Sequence, residues 1–484
     1  NFMLSLQAEK QIVMDALIGR ISEQKELTTY INSGKAEFVA LYGRRRVGKT
    51  FLINSFFKQK FSFDTTGIIE GTKTEELMAF YTALIAYGYS GNMPTNWMQA
   101  FSALKDVLEK RKQHSKRRIV FIDELPCFDT PKSGFVKALD FFWNSWASRQ
   151  KDIFIVVCGS ATSWIIKNII DNHGGLHNRI THEMYLKPFT LREVELYMKS
   201  RGARWNRLLI LQTYMILGGV PYYLSLLNTS QSLAENIDRL FFSEQAELKR
   251  EYDRLYKSLY RNPDQYMDIV KILAGHKQGL TRKEIATKMH LNQNGHLSKI
   301  LDDLTKCGFI RYYNVSNKTS GGIYQLVDFY SLFYHAFGKK KTTDVHYWSH
   351  SINTPVQNTW FGLAFERVCM SHIPQLLYAL HLDNIRTEYY AWRSQKQNPA
   401  AQIDLIIDRA DGIQNICEVK YSQTAYSLTK NEYDKILNRC DGFVKETQSR
   451  KGVHITMITT FGLKENAYSS IAQNSVVLDD LFSK

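Results

Sequence analysis

The run Gly43-Arg44-Arg45-Arg46-Val47-Gly48-Lys49-Thr50 combines two glycines, five residues apart, with a terminal Lys-Thr pair. Glycines let backbone amides curl around a phosphate, and a helix opening at the second one adds the positive end of its dipole. Lys49 then neutralises β- and γ-phosphate charge, and Thr50 reaches Mg2+. With Phe51 in the helical run that follows, these residues form the expected nucleotide-contact set. Downstream, Ile119-Val120-Phe121-Ile122 leads into Asp123-Glu124, an apolar strand ending in two carboxylates. Beside a phosphate loop, the first acid holds Mg2+ through water and the second polarises an attacking water, which points to ATP hydrolysis. A third strand, Ile153–Cys158, leads to Ser160, which either senses the γ-phosphate beside Asp123 or simply caps a helix. Arg179 either reaches a γ-phosphate, in cis or from a neighbouring subunit, or is an ordinary surface arginine.

A second constellation lies near the C-terminus. Ile403-Asp404-Leu405-Ile406-Ile407 and Ile416-Cys417-Glu418-Val419-Lys420 flank the turn Ala410-Asp411-Gly412. A three-residue hairpin loop pairs Arg409 with Ile413, so partner numbers sum to 822 and Asp404 falls opposite Glu418. Facing carboxylates repel each other, and a divalent cation between them removes the conflict. Lys420 projects from the same strand face as Glu418, where it can act on a metal-bound water or on a phosphodiester. The alternative is a solvated hairpin whose register is off by one.

The elements that must position these groups follow from periodicity. Strand runs at Phe38–Tyr42, Phe61–Thr65, Ile119–Ile122, Ile153–Cys158 and Glu183–Leu186 alternate with helical patterns, which predicts a parallel α/β sheet. From about Leu191 to Tyr260 the pattern is helical, broken at Gly218-Gly219-Val220-Pro221. After Asn262-Pro263, a capping box at Thr281 and Glu284 opens one helix. Leu297, Ile300, Leu301 and Leu304 give the next helix an apolar face. The strands Phe309–Tyr313 and Ile323–Val327 complete a helix, helix, hairpin plan, that of a winged helix. Arg282, Lys283, His296, Lys299 and Lys318 give it a cationic edge suited to DNA phosphates. Lys339-Lys340-Lys341 reads as a linker, and a last α/β region begins near Trp348.

The chain has 484 residues, enough for several domains, and 62 Lys and Arg against 47 Asp and Glu leave a formal charge of +15. An apolar share of 44% supports packed cores rather than a disordered chain, and the charge favours an acidic partner, nucleic acid first. Cys127, Cys158, Cys307, Cys369, Cys417 and Cys440 have no zinc-type spacing and read as free thiols in a reducing cytoplasm. The most apolar stretch, Ile153 to Ile170, is interrupted by Gly159, Ser160, Thr162, Ser163 and Lys167, which argues against a membrane span.

The motifs G-R-R-R-V-G-K-T, I-V-F-I-D-E-L-P, C-G-S-A-T-S, L-H-N-R-I-T, L-K-P-F-T and G-G-V-P-Y-Y-L occur in an order that resembles the archaeal-type P-loop ATPases, relatives of the AAA+ and STAND groups. The segment from Ile18 to Leu27 resembles that family's opening helix motif, and by this resemblance Arg20 lies with the adenine. The later pieces G-L-T-R-K-E-I-A, C-G-F-I-R-Y-Y, V-D-F-Y-S-L-F-Y, W-F-G-L-A-F-E-R and I-D-L-I-I-D…E-V-K-Y are similar to a winged helix joined to a PD-(D/E)XK nuclease-like domain. That likeness adds Glu366 to Asp404, Glu418 and Lys420. The expected architecture is multi-domain α/β: a P-loop NTPase (ASCE/AAA+-like) domain over 1–190, a helical lid over 191–262, a winged helix over 263–345 and a restriction-endonuclease-like domain over 346–484. The expected function is an ATP- and Mg2+-dependent protein acting on DNA, with nuclease potential controlled by nucleotide state. The alternatives are a nucleotide-switched DNA-binding regulator and a STAND-like scaffold with an inactive nuclease fold. Assembly as a homo-oligomer is compatible with each.

Overall fold

A computed structural model describes residues 17–111, 117–170, 179–260, 262–290, 295–314, 322–394 and 401–483. The chain divides into two compact units, 1–187 and 188–484.

The first unit is built on five parallel strands, β1 (Glu37–Tyr42), β2 (Phe63–Thr66), β3 (Arg118–Asp123), β4 (Ile153–Gly159) and β5 (His182–Tyr185), in the order β2-β3-β4-β1-β5. The five predicted strands are all present, with ends displaced by one or two residues. Strands β3 and β4 are buried along their whole length, as the continuous apolar runs require of a sheet covered on both faces. Alternation sorts the side chains. Phe38, Ala40, Val120, Ile122, Ile155 and Val157 enter one core, while Val39, Leu41, Ile119, Phe121, Val156 and Cys158 enter the other. In register, Tyr42 pairs with Gly159 and Ile122 with Val157, so β1, β4 and β3 deliver their carboxyl ends side by side.

In the second unit, helices between Leu191 and Lys257 precede a three-stranded antiparallel sheet. Its strands are β6 (Leu280–Thr281), β7 (Ile310–Tyr313) and β8 (Ile323–Leu326), in the order β6-β8-β7. The predicted capping box is present: Glu284 N donates to Thr281 Oγ1 at 3.2 Å, and Thr281 N donates to the Glu284 carboxylate at 2.7 Å. Leu297, Ile300, Leu301 and Leu304 are all buried. A second five-stranded sheet follows, with β9 (Thr387–Arg393), β10 (Gln402–Arg409), β11 (Ile413–Lys420), β12 (Gly452–Thr459) and β13 (Asn474–Val476) in the order β13-β12-β11-β10-β9. The helix Pro355–Ser371 precedes it, and Lys430–Thr447 connects β11 to β12, which run parallel.

One continuous apolar core runs from Phe189 to Phe482, so the helical segment, the small sheet and the C-terminal sheet share an interior. At the expected linker, Lys339, Lys340 and Lys341 are exposed. Lys340 Nζ donates to Tyr347 Oη at 2.9 Å, and the neighbouring Trp348 is buried with its N–H on Asp238 Oδ1 at 2.8 Å. Across these lysines, Phe333 and Phe337 pack edge to face against Trp348. Among the described residues, no helix is long and apolar enough to cross a membrane.

Candidate functional sites

At the carboxyl end of β1 the chain must turn sharply, and Gly43 makes this sterically possible. A Cβ there would lie 2.4 Å from Leu186 O, and φ is +147°. Gly48, at φ +90°, opens the helix Lys49–Phe56. Lys49 is buried, its ammonium donating to Gly43 O at 2.9 Å, Arg44 O at 3.1 Å and Ser160 Oγ at 3.1 Å. Thr50 Oγ1 donates to Asp123 Oδ2 at 2.6 Å. Asp123 Oδ1 accepts from Glu124 N at 2.8 Å and from the Cys158 thiol at 2.6 Å. Burial, with Asp123 next, pushes the Cys158 thiol well above its ordinary pKa, so it stays a neutral donor.

Glu124 adopts the left-handed region at φ 45°, ψ 46°, a conformation that costs a glutamate on the order of 1 kcal/mol. Its carboxylate accepts from Ser160 N at 3.1 Å and Ser160 Oγ at 2.8 Å. The alternative role of Ser160 as a helix cap is not what is found: the residue at the N-cap of Thr162–Ile165 is Ala161. Lys49, Ser160, Glu124, Asp123 and Thr50 thus form one hydrogen-bonded group at the ends of three adjacent strands. Arg45 and Arg46 are half-buried in the loop, Val47 is buried, and Phe51 is exposed on the helix. Arg179 is exposed on a turn ahead of β5 and is outside the group just described.

Arg20 is buried and donates to Val47 O at 3.0 Å and Lys187 O at 2.7 Å. With Glu23 at 3.4 Å as a third partner, it braces the phosphate loop.

In the second unit the β10–β11 register runs Leu405 with Cys417 through Asp408 with Gln414, each pair summing to 822 as predicted. Continued by one pair, it sets Asp404 opposite Glu418. A bulge against β9 falls between Ile403 and Ile406, around Asp404, where such irregularities re-aim a side chain. Glu366, Asp404, Glu418 and Lys420 line one cavity of about 1000 Å3. Burial, reinforced by Asp404 and then Glu418, pushes Glu366 up to about 7. Asp404 keeps solvent contact but is surrounded by protein on most sides. That burial, with Glu418, raises its pKa against the opposing Gln402 hydrogen bond.

The repulsion expected between the facing acids is relieved by Lys420 and by Arg439, the second of which sequence reasoning missed. Glu418 takes Arg439 Nη2 at 2.7 Å and Lys420 Nζ at 3.0 Å, and Lys420 also meets Glu432 at 3.4 Å. Burial opposes the Lys420 charge, but Glu418 and Glu432 outweigh it and raise its pKa. The carboxylate oxygens suit a hard cation such as Mg2+. Yet among the described residues no group of three His, Cys, Asp or Glu is gathered for a metal, and Glu418 must release a cation to serve as a ligand. Arg439 carried no legible signal, because its partner is remote in sequence. Glu432 did, as the capping-box partner of Thr429, but that pattern says nothing of Lys420.

On the small sheet's helices, Lys283, His296 and Lys299 are exposed and Arg282 is half-buried; Lys318 lies outside the described residues.

Residues 17–227 match the family described as an ATPase domain predominantly from Archaea. An uncharacterised protein of Methanocaldococcus jannaschii is 22% identical over 374 residues, 74% of this chain and 77% of the relative. Among solved structures, the Walker-type ATPase PABY2304 of Pyrococcus abyssi is similar at 18% identity and TM-score 0.46, covering 66% of this chain and 96% of that one. The ORC2 protein of Aeropyrum pernix, in ADPNP and ADP complexes, gives 13% identity and TM-score 0.42 over 74% of this chain and 96% of its own. The family match spans the phosphate loop, Asp123-Glu124 and Ser160, and the protein is accordingly a nucleotide-binding ATPase with a P-loop.

Proposed function

With residues 17–227 an ATPase domain, we propose that nucleotide state controls a DNA-directed, Mg2+-dependent nuclease in the second unit. In this reading the first unit is of the ASCE type, Lys49 and the loop amides bind the β- and γ-phosphates, and Thr50 and Asp123 hold Mg2+. Glu124 activates the attacking water and Ser160 reports the γ-phosphate to it. Arg179 is offered to the γ-phosphate from the same chain or from a second copy. The helices and small sheet over 263–345 are a winged helix whose Lys283, His296 and Lys299 meet phosphates, and 346–484 is the nuclease-like domain.

The observation that carries the nuclease reading is the convergence of Glu366, Asp404, Glu418 and Lys420 on one cavity wall. Asp404 and Glu418 would hold the metal, which would supply charge stabilisation at a phosphodiester, with Glu366 beside them and Lys420 orienting the attacking water. The engagement of Glu418 by Arg439 favours one second reading, a nucleotide-switched DNA-binding regulator whose cavity does not cut. Incubation with supercoiled plasmid, linear duplex and single strands, in Mg2+ or Mn2+, with and without ATP, separates them. Metal-dependent cleavage that changes with ATP and is lost in Asp404→Ala is expected. Binding of DNA with no cleavage under any condition overturns the nuclease reading in favour of the regulator.

A further inference from the structure

The cavity over Asp404 is walled by two distant parts of the chain. The β7–β8 hairpin and the turn before β6 contribute Arg311, Gln325 and Lys277, and the helix Lys430–Thr447 contributes Lys435, Arg439 and Lys445. Arg311 and Gln325 are cross-strand partners, and the arginine Nη2 donates to the Gln325 amide oxygen. Gln325 Nε2 in turn donates to Lys277 O at 2.6 Å, which holds the pair in place. Arg311 Nε is buried and, among the described residues, has no acceptor; Gln402 Oε1, in the same cavity, is a buried acceptor with no donor. A buried N–H without a partner is costly, and a phosphate oxygen is the acceptor a guanidinium fits best.

Size restricts what can bring that phosphate. The cavity holds about 1000 Å3, far less than a turn of double helix, whose major groove alone is about 12 Å wide. A double helix does not enter such a space, whereas a few unpaired nucleotides do. Cations on two walls above carboxylates suit a strand with its phosphates along the walls and one phosphodiester near Asp404.

We propose that this cavity takes an unpaired nucleic-acid strand and that Arg311, from outside the nuclease-like domain, is one of its phosphate contacts. The inference rests on the nuclease reading of the same site and names its substrate class.

The test is fluorescence anisotropy of the full-length protein in Ca2+, with a labelled DNA strand, its RNA counterpart and a blunt duplex. Wild type is expected to bind a strand at least about ten-fold tighter than duplex, with the DNA and RNA arms identifying the sugar preferred. Arg311→Ala should weaken strand binding by about ten-fold, and Arg311→Lys should recover part of it. If Arg311→Ala lowers the melting temperature, the exposed pair Lys435→Ala/Lys445→Ala reads the same loss without disturbing the hairpin. Duplex binding as tight as strand binding, or strand binding indifferent to both sets of variants, overturns the proposal. Arg311-dependent strand binding without cleavage in Mg2+ or Mn2+ sinks the nuclease reading and leaves this one standing. Efficient cutting of internal duplex sites does the reverse.

Discussion

The two candidate sites solve the burial of charge in opposite ways. In the first site Lys49 donates to carbonyls and a hydroxyl, and Glu124 accepts from the amide and hydroxyl of Ser160. In the second, charge meets charge directly, with Glu418 between Arg439 and Lys420. Hydrogen bonds to neutral dipoles leave a cation its charge for an arriving phosphate. A carboxylate already paired must give up a cation before it accepts another, so its metal affinity is set by the difference between two attractions. The first site is primed for its ligand, and the second is gated by its own side chains.

The largest effect that tests this contrast is on turnover. Glu124→Gln should keep nucleotide affinity but slow ATP hydrolysis by roughly 100-fold or more, the range for loss of a general base. A variant hydrolysing at the wild-type rate assigns the base elsewhere. Lys49→Ala should weaken ATP binding by about 100-fold in nucleotide anisotropy, since it removes charge-assisted hydrogen bonds to phosphate. Unchanged affinity would mean that Lys49 is only a structural tie.

For the second site, Arg439→Ala should enlarge the rise in melting temperature produced by Mn2+ by a few degrees, because Glu418 is released. Asp404→Ala should abolish that rise, yet fold at least as well as the metal-free parent because a repelling charge is gone. A Mn2+ response equal in wild type and Arg439→Ala removes the gate.

The smallest effects are in pH dependence, and they have opposite signs in the two units. Glu76 is fully buried, accepts Ile68 N at 2.9 Å, and is pushed by burial up to about 7 from 4.5. Its folded form holds a proton that the unfolded chain releases, so its stability is present below 4.5 and lost as pH rises through 7. His372 is buried, accepts Leu191 N on Nε2 at 3.1 Å, and is pushed by burial down to about 4 from 6.5. Its neutral form stabilises the fold above 6.5, and that stability is lost as pH falls toward 4. Denaturant titrations from acid to neutral pH should show Glu76→Gln flattening the first slope and His372→Gln the second. Parallel slopes in wild type and both variants would contradict these assignments.

Much of this was legible in the sequence because it is local. The phosphate loop, the strand ending in Asp123-Glu124, the capping box at Thr281 and the 822 register each depend on residues a few positions apart. What escaped was long-range pairing. Arg439 reaches Glu418 from a helix, and Cys158 meets Asp123 only because β4 lies beside β3. The packing of Trp348 against Phe337 across the three exposed lysines escaped for the same reason.

Arg20 ties the phosphate loop to the point where the first unit ends. One prong of its guanidinium grips Val47 O within the loop, and the other grips Lys187 O, the last residue before the second unit begins. Gly43 adds a second weld, its α-carbon pressed so close to Leu186 that no side chain fits. The loop and the outgoing chain are therefore a single mechanical part. Any displacement of the loop at Val47 is felt at the Lys187 backbone through one rigid guanidinium rather than through slack chain.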